Sequence, residues 1–423
     1  MTVPAETAAV RPIRFAALQV PTFRWYWLTS SISSTGDGME NVIRGLLILQ
    51  LVEREVAPFW LGMMVFAHWV PFTLFSLYGG ALADRYDNRK VQIIAQLLLM
   101  TAAFGIAAAT LSGIVTEWWI FGLLLVHGFA GAIGGPAQQT LIHSIVGRDR
   151  LLSAVSLNST ARQLSQIIGP AIAGFIYLQF GPGWGFFVNG LTFVPLLVFL
   201  AFFIRLAPKA KLDAQPVLES LREGLAFVRA RPRIGALIGV EMLPVIFLGH
   251  TFNSLLVLFA TDYLHAGTLG YSFLLVASGI GALGAALYLA YARERRDPVP
   301  IIVGAAIVEM IAILSFALTT SYPLALLLTV AIGAAAVLTQ SFNNTTLQLS
   351  APDHIRGRVM GAYSLGTQGF RVINGPLLGL LATALTPPLA VAGSAVVVLA
   401  GLAGIVARVP QLRGGASLPD RVA

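Results

Sequence analysis

The chain has 423 residues, of which 57% are hydrophobic and 11% charged; its mean hydropathy is +0.79 and its formal net charge +8. That much apolar surface does not fit inside a water-soluble core, so the solvent is lipid, and the absence of cysteine excludes a disulfide framework, a thiolate metal site and a cysteine nucleophile. The basic residues punctuate the apolar runs instead of clustering on a soluble domain, so the pI near 10.0 is a topology signal and nucleic acid is excluded as a partner.

The apolar stretches are continuous runs of roughly 20 residues, not ten-residue alternations, which points to an all-α integral membrane protein rather than a closed barrel. In chain order the runs predict twelve transmembrane helices at 24–51, 59–82, 91–113, 118–140, 152–178, 184–205, 235–261, 269–291, 299–319, 322–345, 358–384 and 387–407. The first run is too long for a cleaved leader and no small-residue cleavage site follows it, so it is expected to stay as an anchor. All Lys and Arg except Arg44, Arg54, Arg162 and Arg371 fall on one side of the spans, which by the positive-inside rule puts both termini in the cytoplasm and the protein in the cell inner membrane.

Between the sixth and seventh spans lies the longest polar stretch, with Leu218, Leu221, Leu225, Ala226 and Val228 on a helical period among charges; it reads as a linker with an amphipathic surface helix. The stretch also bisects the chain. Leu151–Gly174 aligns with Gly357–Leu380, superposing Gly169-Pro170 on Gly375-Pro376, and Asn88–Lys90 lands on Glu294–Arg296 at the same offset. The expected organisation is a six-helix bundle over 1–206, a cytoplasmic linker over 207–233 and a second, pseudo-symmetric six-helix bundle over 234–423.

The connection after the second span reads Gly80-Ala81-Leu82-Ala83-Asp84-Arg85-Tyr86-Asp87-Asn88-Arg89-Lys90, which resembles the signature of the major facilitator superfamily, with Asp87 where that signature usually has Gly. Gly169-Pro170-Ala171-Ile172-Ala173-Gly174 is similar to the Gly-Pro-x-x-Gly-Gly element of that superfamily's antiporters, with Ala173 in place of one Gly. Phe23-Arg24 leading to Ser34-Thr35-Gly36-Asp37, and Asn344-Thr345-Thr346-Leu347-Gln348 followed by Pro352-Asp353, Gly357-Arg358 and Gly361, resemble its enterobactin-exporter-like and macrolide-efflux-like branch. The resemblance implies a 6+6 fold that rocks between inward-open and outward-open states, spans 1, 4, 7 and 10 around a central cavity, and a protein that works as a monomer.

Asp37, Glu40, Asn41 and Arg44 recur at i, i+3, i+4 and i+7 and share one helix face. Asp37 lies about 18 Å into its span at 1.5 Å per residue, near the bilayer midplane, where an ionised carboxylate costs a few kcal/mol. A group that takes and releases a proton is what coupling requires; the alternative is a packing ion pair that never titrates. Arg162 and Arg371 are also near midplane, and Arg162 maps one turn from Arg371 under the repeat. They are expected to pair with Asp37 and Glu40 across the two bundles, or else to cap backbone or bind lipid phosphate.

Glu241 and His250 punctuate the seventh span on opposite faces unless Pro244 bends it; Glu241 is a candidate for the cavity, while His250, His68 and His127 read as packing residues. Gln340, Asn343 and Asn344 form a hydrogen-bonding strip on the tenth span, open to substrate contact or to interhelical bonding. Gly128, Gly131, Gly134 and Gly135 suit close helix approach, and Glu309 is mid-span on a helix that the fold makes peripheral. At the cytoplasmic rim Asp84, Arg85, Arg89, Arg356 and Arg358, with Gly169 and Pro170 within the fifth span, are candidates for gating.

Gly279-Ile280-Gly281-Ala282-Leu283-Gly284 has dinucleotide-binding spacing but lies in a span with no preceding strand, so it reads as helix packing. No P-loop, no metal-ligand spacing and no nucleophile with a neighbouring base is present, so neither an enzyme nor a cofactor is expected. The function that fits is secondary active export of small amphipathic organic molecules (a drug, macrolide or siderophore) in exchange for protons, with membrane lipids as surroundings. A lysophospholipid flippase of the same fold and an uptake symporter are the alternatives.

Overall fold

The computed structural model describes residues 15–204, 217–291, 298–352 and 355–409. After a 3-10 turn at Ala16–Gln19 come α1 (Pro21–Leu51), α2 (Ala57–Arg85), α3 (Asn88–Leu111), α4 (Glu117–Val146), α5 (Leu151–Phe202), α6 (Val217–Arg229), α7 (Pro232–Phe247), α8 (Gly249–Leu258), α9 (Gly267–Tyr291), α10 (Val299–Leu318), α11 (Tyr322–Ser350), α12 (Arg356–Ser364), α13 (Arg371–Ala384) and α14 (Pro387–Arg408). Strands are absent among the described residues. Nine helical stretches there are long and apolar enough to cross a membrane.

Four places differ from the expected spans. The fifth and sixth predicted spans run as one element, α5, whose only non-helical residue is Gly181 at φ 81°. Glycine alone takes that conformation cheaply, and Pro182 then restarts the helix at its first turn, so the chain reverses without a polar loop. α1 is missing from the nine because Asp37, Glu40 and Arg44 occupy its middle. The predicted span at 358–384 is divided by a π-helical segment, Leu365–Gly369, between α12 and α13.

The seventh predicted span is broken as well. Pro244 supplies no N–H, Leu248 leaves helical geometry at φ −123°, and Gly249 follows at φ 38°. In lipid the freed backbone groups must find partners inside the protein. Asn374 of α13 supplies both: its Nδ2 donates to the carbonyl of Ile246 at 3.3 Å and its Oδ1 accepts from the N–H of Thr251 at 3.0 Å, as well as from the Thr251 hydroxyl. Asn374→Leu is therefore expected to lower stability by about 1–3 kcal/mol, the cost of a buried polar group left unsatisfied. Thermal unfolding of the purified protein measures it, and an unchanged midpoint would contradict the bracing role.

α1 packs on α5 and α2 on α4; α9 packs on α11 and α10 on α11 and α14. The two groups of helices meet along α5–α9 and α2–α13. Small residues set these distances. A Cβ on Gly128 would overlap the His68 carbonyl, and one on Gly281 or Gly333 would overlap the carbonyl of Val330 or Ser278. Helices in lipid associate by such close approach because no hydrophobic force distinguishes a neighbouring helix from acyl chains. The glycines at 279 and 281 thus serve packing, Gly279 lying against Ile167, while Gly284 has open space.

At the rim, Asp87 caps α3 by accepting from the N–H of Arg89 at 2.9 Å. The Arg89 side chain donates to the carbonyls of Leu200, at 2.6 Å, and Ala201, satisfying the end of α5. α6 lies where the amphipathic helix is expected and packs on α12, with Glu223 paired to Arg358.

Candidate functional site

A cavity of ≈ 300 Å³ lies between α1, α2, α4 and α5 on one side and α8 and α9 on the other. Asp37, Asn41 and Arg44 line it from one face of α1, as their spacing predicts. The Oδ1 of Asp37 is buried without a hydrogen-bond partner among the described residues. Glu40 is on the same helix but points into protein: it is buried and accepts from Asn189 Nδ2 at 2.8 Å and from Arg44 Nη1 at 3.2 Å. Arg44 also donates to Asn41, and His127 Nδ1 stands 3.8 Å from Glu40 Oε1.

The expected pairing of Arg162 and Arg371 with Asp37 and Glu40 is not formed. Glu40 has Arg44 four residues along its own helix, at a separation the helix itself fixes. Arg162 is at the wrong depth: Gly38 packs against Gly169, seven residues beyond it along α5, about 10 Å at 1.5 Å per residue. Arg162 is exposed and donates to Ser159 at 3.4 Å. Arg371 instead stands against two residues of the cavity wall, with its Cζ 4.5 Å over the Trp69 ring and its Nη1 3.4 Å from His250 Nε2.

The histidines, which read as packing residues in the sequence, belong to the site. His68, His127 and His250 all line the cavity, the His68 and His127 rings 5.0 Å apart and the Trp69 and His250 rings 5.4 Å apart. The signal for His68 and His127 was depth. Each lies about ten residues inside its helix from the same side, roughly 15 Å, the same midplane argument that selects Asp37.

Glu241 lies elsewhere. Its Oε2 accepts from Asn343 Nδ2 at 2.9 Å and from the Tyr363 hydroxyl at 2.6 Å, tying α7, α11 and α12 together away from the cavity. Asn343 also donates to the Leu237 carbonyl at 2.9 Å. Gln340 is exposed, and Asn344 accepts from Gln348 on the next turn at 2.5 Å, so Asn343 and Asn344 serve interhelical and local bonds and none of the three lines the cavity. Glu309 sits on α10, within electrostatic reach of Glu241. Among the gating candidates, Pro170 lines the cavity, Gly169 lets α5 close on α1 and Arg85 is exposed; the side chains of Asp84 and Arg356 lie outside the described residues.

A cavity enclosed by two groups of membrane helices, with charged and titratable side chains at midplane depth, is the arrangement of a transporter. The family model for transmembrane secretion effectors matches residues 13–421. The chain belongs to this family. Its relatives include the enterobactin exporter EntS of Shigella flexneri, 24% identical over 376 residues that make up 87% of this chain and 86% of the relative. EntS of Escherichia coli O81 (strain ED1a) is likewise 24% identical, over 371 residues, 87% of this chain and 86% of the relative.

Solved structures with the same fold include a POT family transporter in complex with 5-aminolevulinic acid (TM-score 0.70, 14% identity, 94% of this chain and 96% of that one). The nucleoside transporter NupG aligns with a TM-score of 0.69 at 14% identity, over 91% and 98% of the two chains. A bacterial homolog to the human lysosomal transporter Spinster, inward-facing and occupied, aligns with a TM-score of 0.67 at 13% identity, over 93% and 97%. The sequence resemblance to the major facilitator superfamily and its enterobactin-exporter-like branch is thereby borne out. Members of the secretion effector family are multi-pass membrane transporters of small molecules, not enzymes.

Proposed function

We propose that the protein exports small amphipathic organic molecules across the cell inner membrane in exchange for protons, by alternating access. Asp37 carries this reading: a carboxylate oxygen with no partner among the described residues, buried on the wall of a cavity between two groups of helices, can take a proton or a substrate group. Opened outward, Asp37 takes up a proton; opened inward, it gives the proton to the cytoplasm as substrate enters. Each ligand favours the state whose contacts it completes, and the exchange of one for the other biases the rocking.

In this reading twelve crossings form, with α5 counted as two, α7 and α8 as one, and α12 and α13 as one. They make bundles over 1–206 and 234–423 joined by the linker 207–233, with both termini cytoplasmic, in a monomer. Gly62 of α2 touches the backbone of Gly375 and Gly379 of α13, and Tyr271 of α9 covers Gly45 of α1, contacts that suit closure on the side of the short loop at 52–56. Asp84, Arg85, Arg89, Arg356 and Arg358 stand at the other rim, where the inner gate would close.

Inside-out vesicles loaded with a pH-sensitive dye and given an acid interior test the reading. A panel of macrolides, cationic dyes, siderophores and lysophospholipids is added outside. At least one of the first three classes is expected to trigger proton efflux from the lumen as it enters. Lysophospholipid movement without proton flux would replace exchange by flipping.

A further inference from the structure

Arg371 opens α13 directly after the π-helical segment, and three neutral groups hold its guanidinium: the Thr367 carbonyl, 3.2 Å from Nε, the Trp69 ring beneath Cζ, and His250 Nε2, 3.4 Å from Nη1. A guanidinium only donates, so Nε2 of His250 accepts, and the ring is the neutral tautomer with its proton on Nδ1. Arg44, on the facing wall, is neutralised by Glu40. Among the described residues no carboxylate forms an ion pair with Arg371. The acid whose charge reaches it is Glu241, and the Oε2 of Glu241 is already occupied by Asn343 and Tyr363.

A cation this deep in a membrane protein, with no carboxylate at ion-pair distance among the described residues, leaves an electrostatic demand that the fold meets only at longer range, through Glu241. The surrounding wall is built from donors. His250 is exposed to the cavity, and Asn253 and Ser254, three and four residues on along α8, line the same side. Beside them α2 presents Trp69 and, one and two turns back, Val65 and Leu61, all lining the cavity as an apolar strip.

We infer that this corner is a head-group site for amphipathic carboxylates: the carboxylate is received by Arg371, His250 Nδ1–H and the α8 donors, and the apolar body lies along α2. The planar fork of a guanidinium matches a carboxylate in a way that an ammonium does not. The inference rests on the cavity being the substrate site. It adds the charge and shape of the cargo, with the acid of the substrate on the α8 side, where Arg371 of α13 stands against His250, and the proton on Asp37 opposite.

The test is equilibrium binding of radiolabelled 4-phenylbutyrate to the full chain in phosphatidylcholine nanodiscs, beside the neutral 4-phenylbutyramide and the cationic 4-phenylbutylamine. Wild type is expected to prefer the acid over the amide by about tenfold or more, the margin of a charge-assisted pair. Arg371→Met brings that ratio close to one, and Arg371→Lys leaves a reduced preference. Val65→Ala, on the apolar strip and not one of the three groups that hold the guanidinium, weakens acid and amide together and keeps the ratio, which separates head-group recognition from a general loss of the fold.

Equal affinity for acid and amide, preference for the amine, no binding of the acid, or a ratio that survives Arg371→Met each overturns the inference. Displacement of the acid by lysophosphatidate at a lower concentration than by unlabelled phenylbutyrate would assign the corner to a phosphate head instead of a carboxylate. Nanodiscs carry no gradient, so a preference seen there stands even if vesicles show no proton exchange. That combination would remove the coupled-export reading and leave the head-group site in place.

Discussion

Gly281→Leu or Gly333→Leu is expected to prevent accumulation of folded protein, because either side chain would start inside the backbone of the facing helix. A Cβ at Gly281 overlaps the carbonyl of Val330 and one at Gly333 overlaps the carbonyl of Ser278, so α9 and α11 interlock at two points. A flexible side-chain tip yields cheaply, whereas a helix carbonyl does not. The cost is therefore at the top of the overpacking range, about 3 kcal/mol or more for each substitution. Gly284→Ala is the control on the same helix: nothing lies within 4 Å of its Cβ. It is expected to change stability by less than about 0.5 kcal/mol, or to gain slightly in helix propensity. Size-exclusion profiles and thermal unfolding of the three variants separate the cases, and a monodisperse Gly281→Leu protein with wild-type stability would show that the helices are not locked there.

The second large effect falls on Glu40. Its carboxylate joins Asn189 of α5, Arg44 of α1 and His127 of α4, and the Arg44 side chain is only 16% exposed. Glu40→Gln keeps the shape and removes the charge, leaving a guanidinium without its anion in a water-poor site. Breaking one partner of a buried pair costs about 3–5 kcal/mol, much of it the penalty of the charge left behind. Removing both charges in Glu40→Gln/Arg44→Gln is therefore expected to recover most of the loss, a non-additivity that a double-mutant cycle reads directly. Additive effects of the two substitutions would mean that the pair is not the unit of stability.

The spans were legible because the membrane imposes a single rule, a run of apolar residues long enough to cross, and most boundaries follow from it within a few residues. The breaks were less legible. Pro244 marked one of them, but the partner that makes it tolerable, Asn374, is 130 residues further on, and nothing local points to the π-helical segment before Arg371. At the site the face of α1 was readable from its spacing, and midplane depth singled out Asp37. Depth along each helix was not enough to pair charges between helices, since a pair also needs matching registers. Arg162 failed that condition and Arg44, on the same helix as Glu40, met it. The histidines were discounted one at a time, and only the fold shows that three of them line one cavity with Trp69. Glu241 and Asn343, read separately as cavity groups, turn out to bond each other.

Whether Asp37 couples proton movement to transport is tested most directly by the Asp37→Asn variant in proteoliposomes, with the same substrate assayed twice. In one arm a pH gradient drives accumulation; in the other, labelled substrate exchanges with unlabelled substrate at equal pH. Asp37→Asn is expected to lose gradient-driven accumulation and to keep substrate exchange, because the cavity still binds and the helices still rock while the proton has lost its site. Accumulation that follows the gradient undiminished in Asp37→Asn would contradict it.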